Sequence, residues 1–310
     1  MATYNGARFV ADQITSIVNQ TNDEWRLIIR DDGSTDTTPA ILAIMAAQHP
    51  DAITVLQDDE KNLGVIGNFS RLLETAPYDY TMLSDQDDVW LLDKIDITIA
   101  RMRELEQRYG TATPILVHTD LKVVNDTMEV VADSFWRYQL LDPCITSLNR
   151  LLIQNHITGC TMIINRALRE LSLPISNGVL MHDWWIALVA AAFGVIDSVP
   201  SATMLYRQHG GNVEGAKEWN LWRQIKGMMK GFIQAGNDKG AGKAVLLRTQ
   251  RQAGIFLDRY KDQLNKGTKA MVEAYATLDG MGCVVKRLYL LRYRFFQEGF
   301  WRNVALFFKI

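Results

Sequence analysis

The sequence predicts an α/β fold, a mostly parallel central sheet flanked by helices, followed by a C-terminal helical extension. Three observations carry this reading. Short apolar runs of strand length alternate with helix-spaced apolar patterns through the first half of the chain. Acidic or polar clusters stand at three strand ends, where open α/β sheets bind their ligands. From about residue 215 the pattern turns helical, with basic and aromatic residues. The expected division is 1–215 for the α/β domain and 216–310 for the extension.

Phe9 to Gln20 carries apolar residues at helical spacing. Trp25 to Ile29 reads as a buried strand, closed by Asp31-Asp32-Gly33. Ser34-Thr35-Asp36 is an N-cap signal, and a helix from Pro39 to Gln48 follows. Ile53 to Leu56 is a second strand, and the Asn62-Leu63-Gly64 turn leads into a helix through Leu73. Tyr80 to Leu83 is a third strand, ending at Ser84-Asp85-Gln86-Asp87-Asp88, and a long helix runs from about Leu92 to Tyr109. Strands separated by helices imply right-handed crossovers and parallel pairing. The second half is mixed. Ile115 to Val124, Thr161 to Ile164 and Thr203 to Tyr206 read as strands, and Leu180 to Phe193 as a buried helix opening at His182-Asp183. The chain starts Met1-Ala2-Thr3-Tyr4-Asn5-Gly6, a polar turn with no strand before it, so the strand that normally feeds such a turn is expected to be missing.

At 310 residues and 48% hydrophobic composition, the chain is long enough to bury a full core. A formal net charge of −2 supplies no global field for nucleic acid. Cys144, Cys160 and Cys283 lie far apart without metal-site spacing, which argues against a disulfide framework and for a reducing cytoplasm. The apolar runs fall short of the ~20 residues that span a membrane. No secretory signal precedes the first motif.

Carboxylates packed as closely as Asp31-Asp32 and Asp85-Gln86-Asp87-Asp88 repel one another unless solvent or a hard cation separates them. A single Asp at such a place reads as a turn or cap residue. The opening Thr3-Tyr4-Asn5 turn followed by these two acidic clusters, three in this order, points to Mn²⁺ or Mg²⁺, which share carboxylates with substrate phosphates. Asp183 opens an apolar helix between His182, Trp184 and Trp185. It reads as a partly desolvated general base or as a carboxylate serving the helix macrodipole.

Ala2-Thr3-Tyr4-Asn5-Gly6, Asp31-Asp32-Gly33-Ser34-Thr35-Asp36 and Ser84-Asp85-Gln86-Asp87-Asp88-Val89-Trp90 resemble the signature blocks of family-2 glycosyltransferases. Thr119-Asp120-Leu121-Lys122-Val123-Val124-Asn125, Thr158-Gly159-Cys160-Thr161-Met162, Met181-His182-Asp183-Trp184-Trp185 and Tyr206-Arg207-Gln208-His209 are similar to bacterial rhamnosyltransferases of cell-wall or capsular rhamnose polysaccharides. The likeness spans roughly residues 1–215. It implies the GT-A, Rossmann-like sheet and an inverting transfer from a nucleotide-sugar donor. By the same resemblance, Thr3, Tyr4 and Asn5 line base and ribose, and Asp32 with Asp31 hydrogen-bonds the base. Asp85 and Asp87 match the DxD pair, Asp87 on the metal and Asp85 toward the ribose or a metal-bound water. Asp88 and Trp90 shape the loop. Asp183 matches the catalytic base, and Gly159, Cys160, His182 and Trp184 stand where the acceptor is bound. Cys160 also reads as a small buried residue. His209 completes the metal shell or is structural. Arg207 clamps the pyrophosphate or makes a surface salt bridge. Asn62-Leu63-Gly64 and Asn68 read as turn and cap residues.

The implied donor is dTDP-L-rhamnose, with a UDP-hexose as the alternative, and the acceptor is a saccharide or lipid-linked glycan. Residues 284–310 hold six basic residues, Lys286, Arg287, Arg292, Arg294, Arg302 and Lys309, against Glu298, interleaved with aromatics. That pattern suits the inner face of an anionic membrane, and equally a helical subdomain packed on its own chain or on a second protomer. Trp219 to Ile233 is a weaker version. No nucleic-acid motif accompanies the charge. Two other classes remain. A nucleotidyltransferase would also pair Asp residues around a metal, but the Gly-rich basic loop it needs near the N-terminus is absent from the sequence. A catalytically inactive binding protein would fit the missing first strand.

Overall fold

A computed structural model describes residues 1–58, 60, 62–210 and 239–309. The chain forms two compact units that do not divide at one point in the sequence. The first takes Met1–Trp136, Ile157–Asn177 and Met181–Ala216, and the second takes Arg137–His156, Gly178–Leu180 and Lys217–Ile310. The expected boundary at 215/216 and the Trp219–Ile233 stretch lie outside the described residues.

The first unit begins with a three-stranded parallel sheet of β1 (Ala2–Thr3), β2 (Leu27–Asp31) and β3 (Ile53–Val55). The opening residues themselves form β1, two residues long, which pairs with β2 at Ala2↔Arg30 and Thr3↔Asp31. Helices α1 (Val10–Val18) and α2 (Thr38–Gln48) make the crossovers. Val10, Ile14 and Ile17 recur at i, i+4 and i+7, and that is the face α1 buries. Asp36 of the cap signal accepts from the Thr38 backbone N–H at 2.9 Å, and α2 starts one residue before the Pro39 read from sequence.

Next come α3 (Gly64–Thr75), β4 (Tyr80–Met82), β5 (Val89–Trp90), α4 (Lys94–Tyr109), β6 (Ile115–Val124) and β7 (Val130–Ala132). Two short helices, α5 (Phe135–Gln139) and α6 (Leu148–Leu151), precede β8 (Met162–Asn165). Then follow α7 (Arg166–Ser172), α8 (His182–Phe193) and β9 (Val195–Arg207). The second sheet runs β4-β8-β6-β9-β5, with β7 paired to β6. β6 and β9 are parallel, and the other pairs in this sheet are antiparallel. Met102 and Leu105 of α4 cover Ile115, Val117 and Ile163 in its core.

β9 is far longer than the Thr203–Tyr206 strand read from sequence. Its pairing jumps from Thr119↔Val199 to Asp120↔Ala202, so Pro200 and Ser201 bulge out. A proline at a bulge breaks the apparent strand pattern without ending the strand.

The pairing directions bring the ligand-binding ends together. Ala2 N–H donates to the Ser84 carbonyl at 3.2 Å, which joins β1 to the chain leaving β4. β8 is antiparallel to both β4 and β6, and β9 is parallel to β6. The carboxyl ends of β1, β2, β4, β6 and β9 and the amino end of β8 therefore share one edge.

The second unit holds α9 (Lys239–Tyr260), α10 (Lys266–Ala276), α11 (Cys283–Tyr293) and α12 (Phe300–Lys309). Phe256, Tyr260, Val272, Tyr275, Leu290 and Phe295 form its buried centre. The 137–156 segment belongs here through hydrogen bonds to the 293–298 turn. Asn149 donates to the Tyr293 and Arg294 carbonyls at 2.9 and 3.0 Å, and Arg150 to Phe296 at 2.5 Å. No helix among the described residues is long and apolar enough to cross a membrane.

A Cβ on Gly194 would lie 1.8 Å from the Pro114 carbonyl oxygen, at the start of the β6–β9 pairing. Gly194→Ala is expected to cost ~1–3 kcal/mol through a forced backbone shift, read as a lower melting temperature. An unchanged melt would mean that β9 is not seated beside Pro114.

Candidate active site

The shared edge assembles its residues loop by loop. The opening turn docks on the loop after β2. Thr3 donates through its hydroxyl to Asp31 at 2.9 Å, Asn5 N–H to the Ser34 hydroxyl at 2.7 Å, and Thr35 N–H to the Asn5 side chain at 2.8 Å. Asn5 sits at φ 48°, a left-handed conformation that Asn tolerates. The same turn docks on the loop after β4. Tyr4 N–H donates to Gln86 Oε1 at 2.8 Å, and Gln86 Nε2 donates to the Tyr4 carbonyl at 3.0 Å. A Cβ on Gly6 would lie 2.2 Å from Gln86 Oε1, so glycine there admits the Gln86 amide. Tyr4 and Asn5 remain exposed along this edge, while Thr3 is buried.

Asp31 and Asp32 differ. Asp31 is half-buried, and its carboxylate accepts from Thr3 and from Ser34. Asp32 is buried and turned away toward the Asn62-Leu63-Gly64 turn. It accepts from Leu63 and Gly64 N–H at 2.9 and 2.8 Å and from Arg30 at 2.9 Å. Arg30, itself buried, also makes a two-pronged pair with Asp58 at 2.8 and 3.0 Å and reaches Asn68 at 3.3 Å. One cation inside a strand carries no spacing signal, so nothing in the sequence marks Arg30.

The carboxylates of the third loop converge with the start of α8. Asp85 is half-buried, and its pKa is pushed up to about 7, first by burial, then by Asp87 and Asp183. Asp183 thus lies within electrostatic reach of the Asp85-Gln86-Asp87 loop although nearly a hundred residues separate them in sequence. Gly159 N–H donates to Asp183 Oδ2 at 3.0 Å, and Trp184 N–H donates to Oδ1 at 2.5 Å. A Cβ on Gly159 would lie 3.2 Å from both the Asp183 Cβ and His182 Nε2, so the absence of a side chain lets this turn close on the carboxylate. His182 is buried and stacks on Phe69 with ring centroids 4.0 Å apart, and burial lowers its pKa to about 3. It is therefore neutral. Trp184 is half-buried beside Asp183.

Two groups could attract a cation. Ligand atoms of Asp85, Asp88 and Cys160 lie within 4.8 Å of one another. Asp88 and Cys160 are buried, however, and burial followed by Asp88 and Asp85 holds the Cys160 thiol well above its usual pKa. A protonated thiol does not suit a hard cation. The other group is more accessible: His209 Nε2 lies 2.8 Å from Asp87 Oδ2, and both side chains keep 15% exposure. An oxygen and an imidazole nitrogen beside a crowded carboxylate loop fit Mn²⁺ or Mg²⁺, and a cation there would relieve the repulsion that raises Asp85.

Arg207 is buried beneath this loop. Its backbone N–H donates to Asp88 at 3.3 Å, Nε donates to the Asp87 carbonyl at 3.1 Å, and a terminal nitrogen pairs with Asp12 at 3.1 Å. Its guanidinium also lies 4.5 Å from the Phe9 ring centroid, and His209 packs on the same ring at 4.6 Å. Two further residues, Lys94 and Tyr206, stand near these acids without having been read as site residues. Lys94 is fully buried, donates to the Thr203 hydroxyl at 3.2 Å, and has its pKa lowered to about 8 by burial, partly offset by Cys160 and Asp88. The Tyr206 hydroxyl is pushed up in pKa by burial, then by Cys160, Asp88, Asp85 and Asp87, which puts it among the acids.

Parallel strands whose carboxyl ends gather a paired-acid loop, opposite a carboxylate at a helix start, define a GT-A glycosyltransferase. Two solved structures share the fold. S. aureus TarS (residues 1–349) in complex with UDP-GlcNAc aligns with TM-score 0.53 and 15% identity over 95% of this chain and 86% of that one. The mannosyltransferase PcManGT of Pyrobaculum calidifontis, in complex with GDP-Man and Mn²⁺, aligns with TM-score 0.50 and 16% identity over 94% and 71%. Residues 1–171 match the family described as Glycosyl transferase family 2, and the chain belongs to that family. The dTDP-rhamnosyl transferase RfbG of Shigella flexneri is 31% identical over 230 residues, 70% of this chain and 74% of that protein.

Gly159→Ala is expected to lower turnover while leaving the fold intact, because the new methyl displaces Asp183. Turnover equal to wild type, measured with the same melting temperature, would remove the Gly159 contact from the account. His182 supplies a pH test. Between about pH 6.5 and about pH 3 the unfolded chain binds a proton that the folded chain refuses, so stability declines as pH drops through that window. His182→Phe is expected to lose less melting temperature than wild type between about pH 7 and about pH 5. Equal losses would show that His182 is not buried in its neutral form.

Proposed function

We propose that the chain transfers L-rhamnose from dTDP-L-rhamnose to a hydroxyl of a saccharide or lipid-linked glycan, with inversion at the anomeric carbon and Asp183 as general base. The observation that carries this reading is the electrostatic coupling of Asp183 to the Asp85-Gln86-Asp87 loop, with Asp183 aimed by the Gly159 and Trp184 backbone donors. The rhamnose donor is drawn from the likeness to the Shigella rhamnosyl transferase.

Thr3, Tyr4 and Asn5 form the wall for base and ribose. Asp31 fixes that wall through Thr3 and Ser34, and Asp32 fixes the turn behind it. Asp85 faces the ribose side. Asp87 and His209, with Asp85 nearby, would hold a divalent cation, which would supply positive charge to the departing diphosphate. Arg207 acts on the diphosphate side by holding the Asp87 carbonyl in place. Gly159, Cys160, His182 and Trp184 shape the acceptor floor: His182 braces it from behind, and Trp184 offers a flat ring to a sugar face.

In the reaction, the acceptor oxygen forms a bond to the anomeric carbon as the bond from that carbon to the diphosphate oxygen breaks. Asp183 takes the hydroxyl proton, and the diphosphate leaves with the bonding pair. No covalent sugar–protein intermediate forms, so a β-L-rhamnosyl nucleotide yields an α-L-rhamnoside.

A donor panel with Mn²⁺ or Mg²⁺, scored by release of nucleoside diphosphate, tests the reading. dTDP-L-rhamnose is expected to turn over faster than UDP-glucose or UDP-GlcNAc, and Asp183→Asn to lower the rate by ~10²–10⁴-fold. Preference for a UDP-hexose would replace the donor. Pyrophosphate release from a nucleoside triphosphate and a sugar phosphate, or full activity in Asp183→Asn, would overturn the mechanism.

A further inference from the structure

Helix α11 has two apolar faces, and among the described residues nothing covers one of them. Leu290 is fully buried in the second unit's centre. Val284, Leu288 and Leu291 recur at i, i+4 and i+7 on another face and are 69%, 58% and 53% exposed. Beyond a six-residue turn, Phe300 and Trp301 open α12 with exposed rings packed edge to face, centroids 5.3 Å apart. Arg287 ties the two helices together by donating to the Phe307 carbonyl at 3.2 Å.

Along α11, the turn after it and α12, the charge that reaches solvent has one sign. From Met281 to Phe307 every charged side chain that reaches solvent is basic: Lys286, Arg287, Arg292, Arg294 and Arg302. The single acid in that span, Glu298, is buried. Lys286 is partly neutralised by Asp279 at 3.4 Å, whereas Arg292 and Arg294 are exposed beside the apolar stripe.

We infer that α11 and the start of α12 dock on the surface of an anionic lipid bilayer. The aliphatic stripe and the Phe300–Trp301 pair enter the boundary between headgroups and acyl chains, and Arg292 and Arg294 meet lipid phosphates. Aromatic rings favour that boundary, and a helix lying in it needs this combination of apolar face and flanking cations. A second copy of the chain fits less well. A two-fold contact through this face would bring the basic flanks of both copies to one seam. The inference does not depend on which donor or acceptor the enzyme uses.

Co-sedimentation of the full chain with vesicles tests it. Wild type is expected to pellet with phosphatidylglycerol-containing vesicles, to release as salt rises, and to bind pure phosphatidylcholine weakly. Removing Arg292 and Arg294 together as alanines should weaken anionic-vesicle binding by roughly 25-fold, about fivefold for each. Leu288→Ser with Leu291→Ser should weaken it by roughly tenfold or more. Both variants alter exposed side chains, so donor hydrolysis and circular dichroism melts should match wild type. Failure of wild type to pellet with anionic vesicles would overturn the proposal, as would equal pelleting of both variants. A dimer in sedimentation velocity that the leucine variant dissolves, with no vesicle capture of wild type, would overturn it in favour of self-association.

Discussion

Repulsion among Asp85, Asp87 and Asp183 is the constraint around which the first unit is organised. These carboxylates arrive from two distant segments and crowd one sheet edge, where burial first and then repulsion from Asp87 and Asp183 push Asp85 up to about pKa 7. Such crowding holds only because each neighbour is fixed by donors or by a cation of the chain itself. Gly159 and Trp184 backbone N–H groups hold Asp183 at the start of α8. His209 stands against Asp87, and buried Arg207 grips the loop from beneath. An added divalent cation would relieve the residual repulsion.

The topology makes this convergence possible. The parallel sheet alone would align the opening turn with the loop after β2. The antiparallel insertion of β8 between β4 and β6 brings the Gly159-Cys160 turn to the same edge. The long parallel run of β9 along β6 then delivers Arg207 and His209. Gln86, bonded twice to Tyr4, closes the ring between the first and third loops.

Much of this was legible in sequence because helix periodicity and acidic strand ends are local signals. α1, α4, α8 and β6 were placed within a few residues, and the acidic loops were placed at strand ends. What escaped was what depends on distant partners. The partners of Asp32, Arg30 and the Leu63-Gly64 turn, lie beyond any local pattern around the Asp31-Asp32 pair. Arg207 could not be told from a surface charge until its burial among Asp12, Asp87 and Asp88 was seen. β9 was cut short by a bulge at Pro200-Ser201 that no single-strand pattern reveals. The 137–156 segment gave no sign that its hydrogen bonds go to residues 293–298.

The central claim is that acids from separate segments share one cation with a sugar diphosphate. Titration of Mn²⁺ in the presence of dTDP, followed by electron paramagnetic resonance, tests it most directly. The account predicts one tightly bound Mn²⁺ per chain in wild type and its loss in Asp87→Ala. Undiminished stoichiometric binding in Asp87→Ala would contradict it.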